Sequence, residues 1–236
     1  MFSYMKSDSV LLNILNDSVR YTFSNPKTFA KVILCEIFSV FIIPFLIICG
    51  LQYRIIEESL PLMVFEESKL SDLNNLKDLV KNGVKVFFVK FIYLFIPFVL
   101  SLLILSGSIP RFAGLIVTCV LFVVLYVYCF LAIANMVYHD SFKKAFALKE
   151  IAIVKNNINS LLLFGLLIAV LFMFYGVLAC LDDFIFFLGN FININAVLFM
   201  SFTVYKVLLL VISGLTIQPF IDILTARIAG VIYEGK

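Results

Sequence analysis

The chain has no tryptophan, one histidine and few charges, with Asp, Glu, Lys and Arg together making up 14% of its 236 residues. A soluble domain is typically about a quarter charged and about half apolar. Here 63% of residues are apolar and the mean hydropathy is +1.12, more apolar surface than a water-soluble fold can hide. A single histidine cannot complete a metal set with the five cysteines. Cys35, Cys49, Cys119, Cys129 and Cys180 lie inside apolar runs without a C-x-x-C pair and read as small buried hydrophobes. Phosphate-binding glycine loops, metalloprotease helices and Cys–His nucleophile sets are also missing, so the sequence points to no enzyme, no metal and no cofactor. A net charge of +3 with scattered lysines argues against nucleic acid and suits a basic face toward anionic lipid.

What remains is apolar sequence, running from about residue 29 to 221 with no soluble insert. A helix needs roughly 20 predominantly apolar residues to cross a bilayer core. Four runs qualify: Val86 to Leu105, Phe112 to Ala134, Ser160 to Leu181 and Ala196 to Ile221. They lack the period-2 alternation of barrel strands, so the expected fold is all-α, a polytopic helical membrane protein in a single domain. A fifth run, Phe29 to Leu51, contains Lys31, Glu36 and Pro44. It reads as one kinked span or as a short hairpin broken near Ile43-Pro44. Lacking a small-x-small cleavage pattern, it is expected to stay in the chain rather than leave as a signal peptide.

Cation placement favours the hairpin. The stretches 53–85 and 138–159 hold five and four Lys or Arg, and the positive-inside rule puts both in the cytoplasm. A hairpin brings Lys6, Arg20 and Lys27 to the same side, with both termini cytoplasmic. Each apolar pair then follows an amphipathic stretch. The first is Val10 to Phe23, the second runs through Leu70, Leu73, Leu76, Val80 and Val84, and the third sets Phe142, Ala145, Phe146 and Ala152 opposite Lys143, Lys144, Lys149 and Lys155. This predicts three cytoplasmic interfacial helices in a pseudo-threefold repeat, with units 1–59, 60–137 and 138–236. With Trp absent, Tyr21, Tyr53, Tyr138 and Tyr233 are expected to form the interfacial belt.

At Arg20-Tyr21-Thr22-Phe23-Ser24-Asn25-Pro26-Lys27 the chain resembles an uncharacterised integral membrane family, a domain of unknown function frequent in methanogenic archaea. The segments Gly50-Leu51-Gln52-Tyr53-Arg54, Leu79-Val80-Lys81-Asn82-Gly83-Val84-Lys85, Ala134-Asn135 and Phe142 to Glu150 extend the likeness over about residues 15 to 233. An acidic, aromatic segment expected near residues 61 to 70 is reduced here to Leu60-Pro61 and Glu66-Glu67. The resemblance implies several spans and no activity.

An ionisable residue inside a span is costly and therefore a functional candidate. Glu36, Lys90 and Lys206 qualify. Lys90 can snorkel toward the interface near Lys85, its preferred reading, or meet Glu36 across a helix contact. Lys206, deepest in its run, is expected in the bundle interior, paired or facing an anionic group. Asp182-Asp183 reads as solvated loop charge, and His139-Asp140-Ser141 as the cap of the third interfacial helix. Gly165, Gly176 and Gly214 are expected to permit close helix approach. The preferred function is a non-catalytic membrane scaffold or complex subunit; the alternative is a small transporter or lipid-handling protein using Lys206 and Glu36 in an intramembrane cavity. The expected partners are the lipid bilayer and a membrane or cytoplasmic protein or a second copy of the chain.

Overall fold

The helices begin and end where the sequence supplies caps and breakers. Helix α1 spans Ser7–Phe23 and presents Ile14, Ser18, Tyr21 and Thr22 to the protein interior, the two hydroxyls bonding back to carbonyls one turn earlier. Asn25 then starts helix α2, Pro26–Ile37, by accepting the Thr28 amide at 3.2 Å, with Pro26 where no amide is needed. The computed structural model describes residues 7–39, 41–60, 69–106, 111–152, 165 and 217–233; among them all regular structure is helical.

After α2 the chain turns and helix α3 runs over Ile42–Ser59. The break falls before Phe41 and not at Ile43-Pro44, because Pro44 sits in the first turn of α3, where its missing donor costs nothing. Thr28, in the first turn of α2, and Lys31, at its middle, reach Asp72 at 3.3 and 2.7 Å, while Arg54, in the second half of α3, donates to the carbonyls of Asp72 and Asn74 at 2.9 and 3.0 Å. Both outer ends thus meet the same loop, and the run folds as an antiparallel hairpin.

Helix α4, Leu76–Leu105, is continuous for 30 residues, ~45 Å at 1.5 Å per residue. The second amphipathic stretch is therefore not a separate helix: Leu70 and Leu73 lie in the preceding loop, and Leu76, Val80 and Val84 belong to α4 itself. Helix α5, Arg111–Tyr138, packs back along α4. A 3-10 turn at Phe142–Phe146 and the short helix α6, Leu148–Ala152, stand where the third interfacial helix was expected. Ser141 precedes that turn but makes no side-chain cap. The last described helix, α7, covers 217–233, and every residue from 221 to 233 is buried.

Among the described residues, two helices are long and apolar enough to cross a membrane: α4 over Leu76–Ile104 and α5 over Val117–Tyr138. The outer face of α4 exposes Phe88, Phe91, Ile92, Phe95, Ile96 and Phe98 together. The runs 160–181 and 196–216, and with them Lys206, Asp182-Asp183, Lys155, Gly176 and Gly214, lie outside the described residues. The expected tyrosine belt is corrected at three of its four positions. Tyr21, Tyr53 and Tyr233 are at most 5% exposed because each is packed inside the protein; Tyr138 alone of the four faces outward, at 61%.

Candidate functional site

Helical spacing builds one wall of a cavity from α4. Phe87, Lys90, Phe91, Leu94, Phe95 and Phe98 recur every three or four residues and so share a face. Opposite them α3 contributes Phe45, Ile48 and Cys49, α7 contributes Gln218 and Asp222, the end of α2 brings Glu36 and Ser39, and α5 brings Tyr126. The cavity, partly open to the outside, has a volume of about 450 Å³, within the range of small-molecule sites.

Among the described residues, three charged groups line this apolar space. Lys90 places its ammonium 5.3 Å from the Phe130 ring centroid, beside Cys49 and Cys129 and within electrostatic reach of both Glu36 and Asp222. It does not run back toward Lys85, whose ammonium lies 5.5 Å from the Tyr53 ring. Lys90 and Glu36 face one cavity without closing a direct ion pair. Glu36 stands instead beside Asp222, which is 6% exposed. Withdrawing each ion from water costs several kcal/mol, offset only by mutual attraction and by whatever enters the cavity. Two carboxylates and one ammonium, set among aromatic rings, can hold a charged or zwitterionic head while the walls accept apolar groups. Among the described residues, no group of three His, Cys, Asp or Glu is placed to hold a metal ion.

A second charged cluster ties the helices together. Arg227 of α7 is fully buried, yet its Nε and Nη2 donate to one Asp17 oxygen at 3.1 and 3.0 Å, and its Nη1 donates to Ser59 at 3.2 Å. Its guanidinium also stacks 4.7 Å from the Tyr21 ring centroid. Burial, with the Glu58 carboxylate nearby, pushes the Tyr21 phenol well above its usual range, so it stays a neutral donor to Glu58. These contacts join α1, α3 and α7. Tyr233 bonds Asn135, which donates in turn to the Lys144 carbonyl at 2.8 Å; Lys144 pairs with Glu150 at 2.5 Å. Lys143 and Lys149 are exposed.

The structure thus brings Glu36 and Lys90 to one cavity and adds Asp222, which sequence reasoning passed over by ending the last span at Ile221. The signal was present. Residues 217 to 233 are apolar except for Gln218, Asp222, Thr225 and Arg227, and Gln218 and Asp222 stand one turn apart on the cavity face.

Neither curated proteins nor solved structures provide a match to the chain. A family described as "Protein of unknown function (DUF4013)" matches residues 37–182, more than half of the sequence but a narrower extent than the expected 15 to 233. The matched stretch holds α3 to α6 and Lys90, and excludes Glu36, Asp222 and Arg227. The chain therefore belongs to the DUF4013 family of proteins of unknown function.

Proposed function

We propose that this is a multi-pass protein of the cell membrane, with cytoplasmic termini, that holds a small molecule or lipid in the cavity between its helices and handles it without chemical change, as a transporter or lipid carrier. The observation that carries this reading is the convergence of Glu36, Lys90 and Asp222 on one cavity among aromatic walls. It favours handling of a ligand over a pure scaffold, which needs no such site. The membrane reading is supported by α4, whose outer face is apolar and exposed among the described residues, and by the α2–α3 hairpin, in which Lys31 and Arg54 reach the same loop. Those cations, with Lys85 and the Lys143–Lys149 region, gather at one end of the bundle, which the positive-inside rule assigns to the cytoplasm.

Purification from membranes in a mild uncharged detergent, followed by native mass spectrometry, tests the reading. A bound small molecule or lipid at about one per chain, lost in the Glu36→Gln/Asp222→Asn variant, supports it. A stoichiometric protein partner with no small-molecule adduct overturns it in favour of the scaffold.

A further inference from the structure

We propose that the ligand is an amphiphilic organic cation, an alkylammonium head on an apolar tail. This rests on the cavity's being a ligand site. Three observations select the class.

The first is charge. Among the described residues lining the cavity, two carboxyl groups face one ammonium, so the pair can carry one negative charge beyond what Lys90 answers, held by a shared proton or by a ligand cation. Lys90 neutralises the equivalent of one acid and is itself held against the Phe130 ring and the two neighbouring thiols. Glu36 and Asp222 stand as hydrogen-bonding neighbours from α2 and α7, and an ammonium beside the pair can take the place of a proton shared between them.

The second is the wall. Ring faces attract organic ammonium groups, and Phe45, Phe87 and Tyr126 line the same cavity as the carboxylates, while among the described residues no group of three His, Cys, Asp or Glu is placed to hold a metal ion.

The third is the opening. Phe91, Phe95 and Phe98 line the cavity and are also 52%, 49% and 60% exposed on the outer face of α4. The cavity mouth therefore continues onto the same apolar face that is proposed to meet lipid. A ligand entering there keeps its head at Glu36 and Asp222 and lays its tail along the three phenylalanines. A fully water-borne amine would gain nothing from that groove.

Calorimetry on the full chain in nanodiscs of uncharged lipid, corrected against empty nanodiscs, tests the assignment with four probes: octylammonium, octanoate, octanol and methylammonium. Octylammonium is expected to bind at least roughly tenfold more tightly than each of the others, with that advantage lost in Glu36→Gln/Asp222→Asn and kept in Lys143→Met, an exposed lysine outside the cavity. Tighter binding of octanoate, abolished by Lys90→Met, would overturn the cation assignment and leave the cavity reading standing. Equal binding of methylammonium and octylammonium would overturn the amphiphile and point to a soluble amine. Silence from all four probes, with the chain folded by its unfolding profile, would overturn both the assignment and the cavity reading.

Discussion

Gly50 of α3 and Gly83 of α4 stand where the two backbones touch: a side-chain carbon at Gly50 would overlap the Leu79 carbonyl, and one at Gly83 would overlap the Leu46 carbonyl. The obstacle on each side is backbone, which cannot swing aside as a flexible side chain would. Gly50→Ala and Gly83→Ala are each expected to separate α3 from α4 and to destabilise the protein by roughly 1–3 kcal/mol, with Val at either position worse. Thermal unfolding in mild detergent measures this. An unchanged melting temperature for both alanine variants would contradict the close approach.

Arg227 is expected to be the most sensitive charged position outside the cavity. Arg227→Met leaves Asp17 facing the interior without its partner and removes the stacking on Tyr21, a loss of about 3–5 kcal/mol for a broken buried pair. Arg227→Lys should recover only part of it, since an ammonium cannot make the two-nitrogen contact to Asp17 together with the Ser59 bond. Pairing Arg227→Met with Asp17→Leu should be milder than Arg227→Met alone. Denaturant midpoints of the three variants decide the order, and equal losses for Lys and Met would remove the geometric argument.

Asp72 predicts a specific acid sensitivity. The hydrogen bond from Lys31 holds its carboxyl below the ordinary 3.8, helped by the Leu73 amide. A carboxyl with a lowered folded value contributes stability that is complete above the ordinary value and lost as pH falls through the lowered one. Asp72→Asn should therefore reduce the melting temperature at neutral pH and close the gap to wild type in acid below that range. The effect is small, because Asp72 and Lys31 are both solvent-exposed. A gap that widens toward acid pH would reverse the sign and refute the assignment.

Different parts of this fold were visible in the sequence to different degrees, for physical reasons. The periodicity of Ile14, Leu15 and Val19 marks α1, and the long apolar runs mark α4 and α5, because these signals are local. The hairpin form of Phe29 to Leu51 was legible in the placement of its flanking cations, although the position of its turn was not: proline in a run suggests a break, yet Pro44 is accommodated in a first helical turn. Glu36 and Lys90 stood out by their cost in an apolar run. Asp222 and Arg227 did not, because they follow the last long run and resemble the start of a polar tail. Only long-range contact identifies them as interior groups, Arg227 meeting Asp17 across 210 positions of sequence. The meeting of Gly50 with α4 is hidden for the same reason: each glycine is ordinary in its own helix, and the constraint exists only between helices.

The central claim is that the cavity lined by Glu36, Lys90 and Asp222 admits solutes while the chain sits in a bilayer. Ser39 lines that cavity, whereas Val89 on α4 is fully buried between helices. In a chain whose native cysteines are replaced by alanine, Ser39→Cys and Val89→Cys can be reconstituted separately into liposomes and treated with a small cationic thiol reagent. The account predicts rapid modification of Ser39→Cys, slowed by octylammonium, and no reaction at Val89→Cys over the same period. Equal resistance at both positions, in liposomes where a thiol in the loop at Ser71→Cys reacts freely, would contradict it.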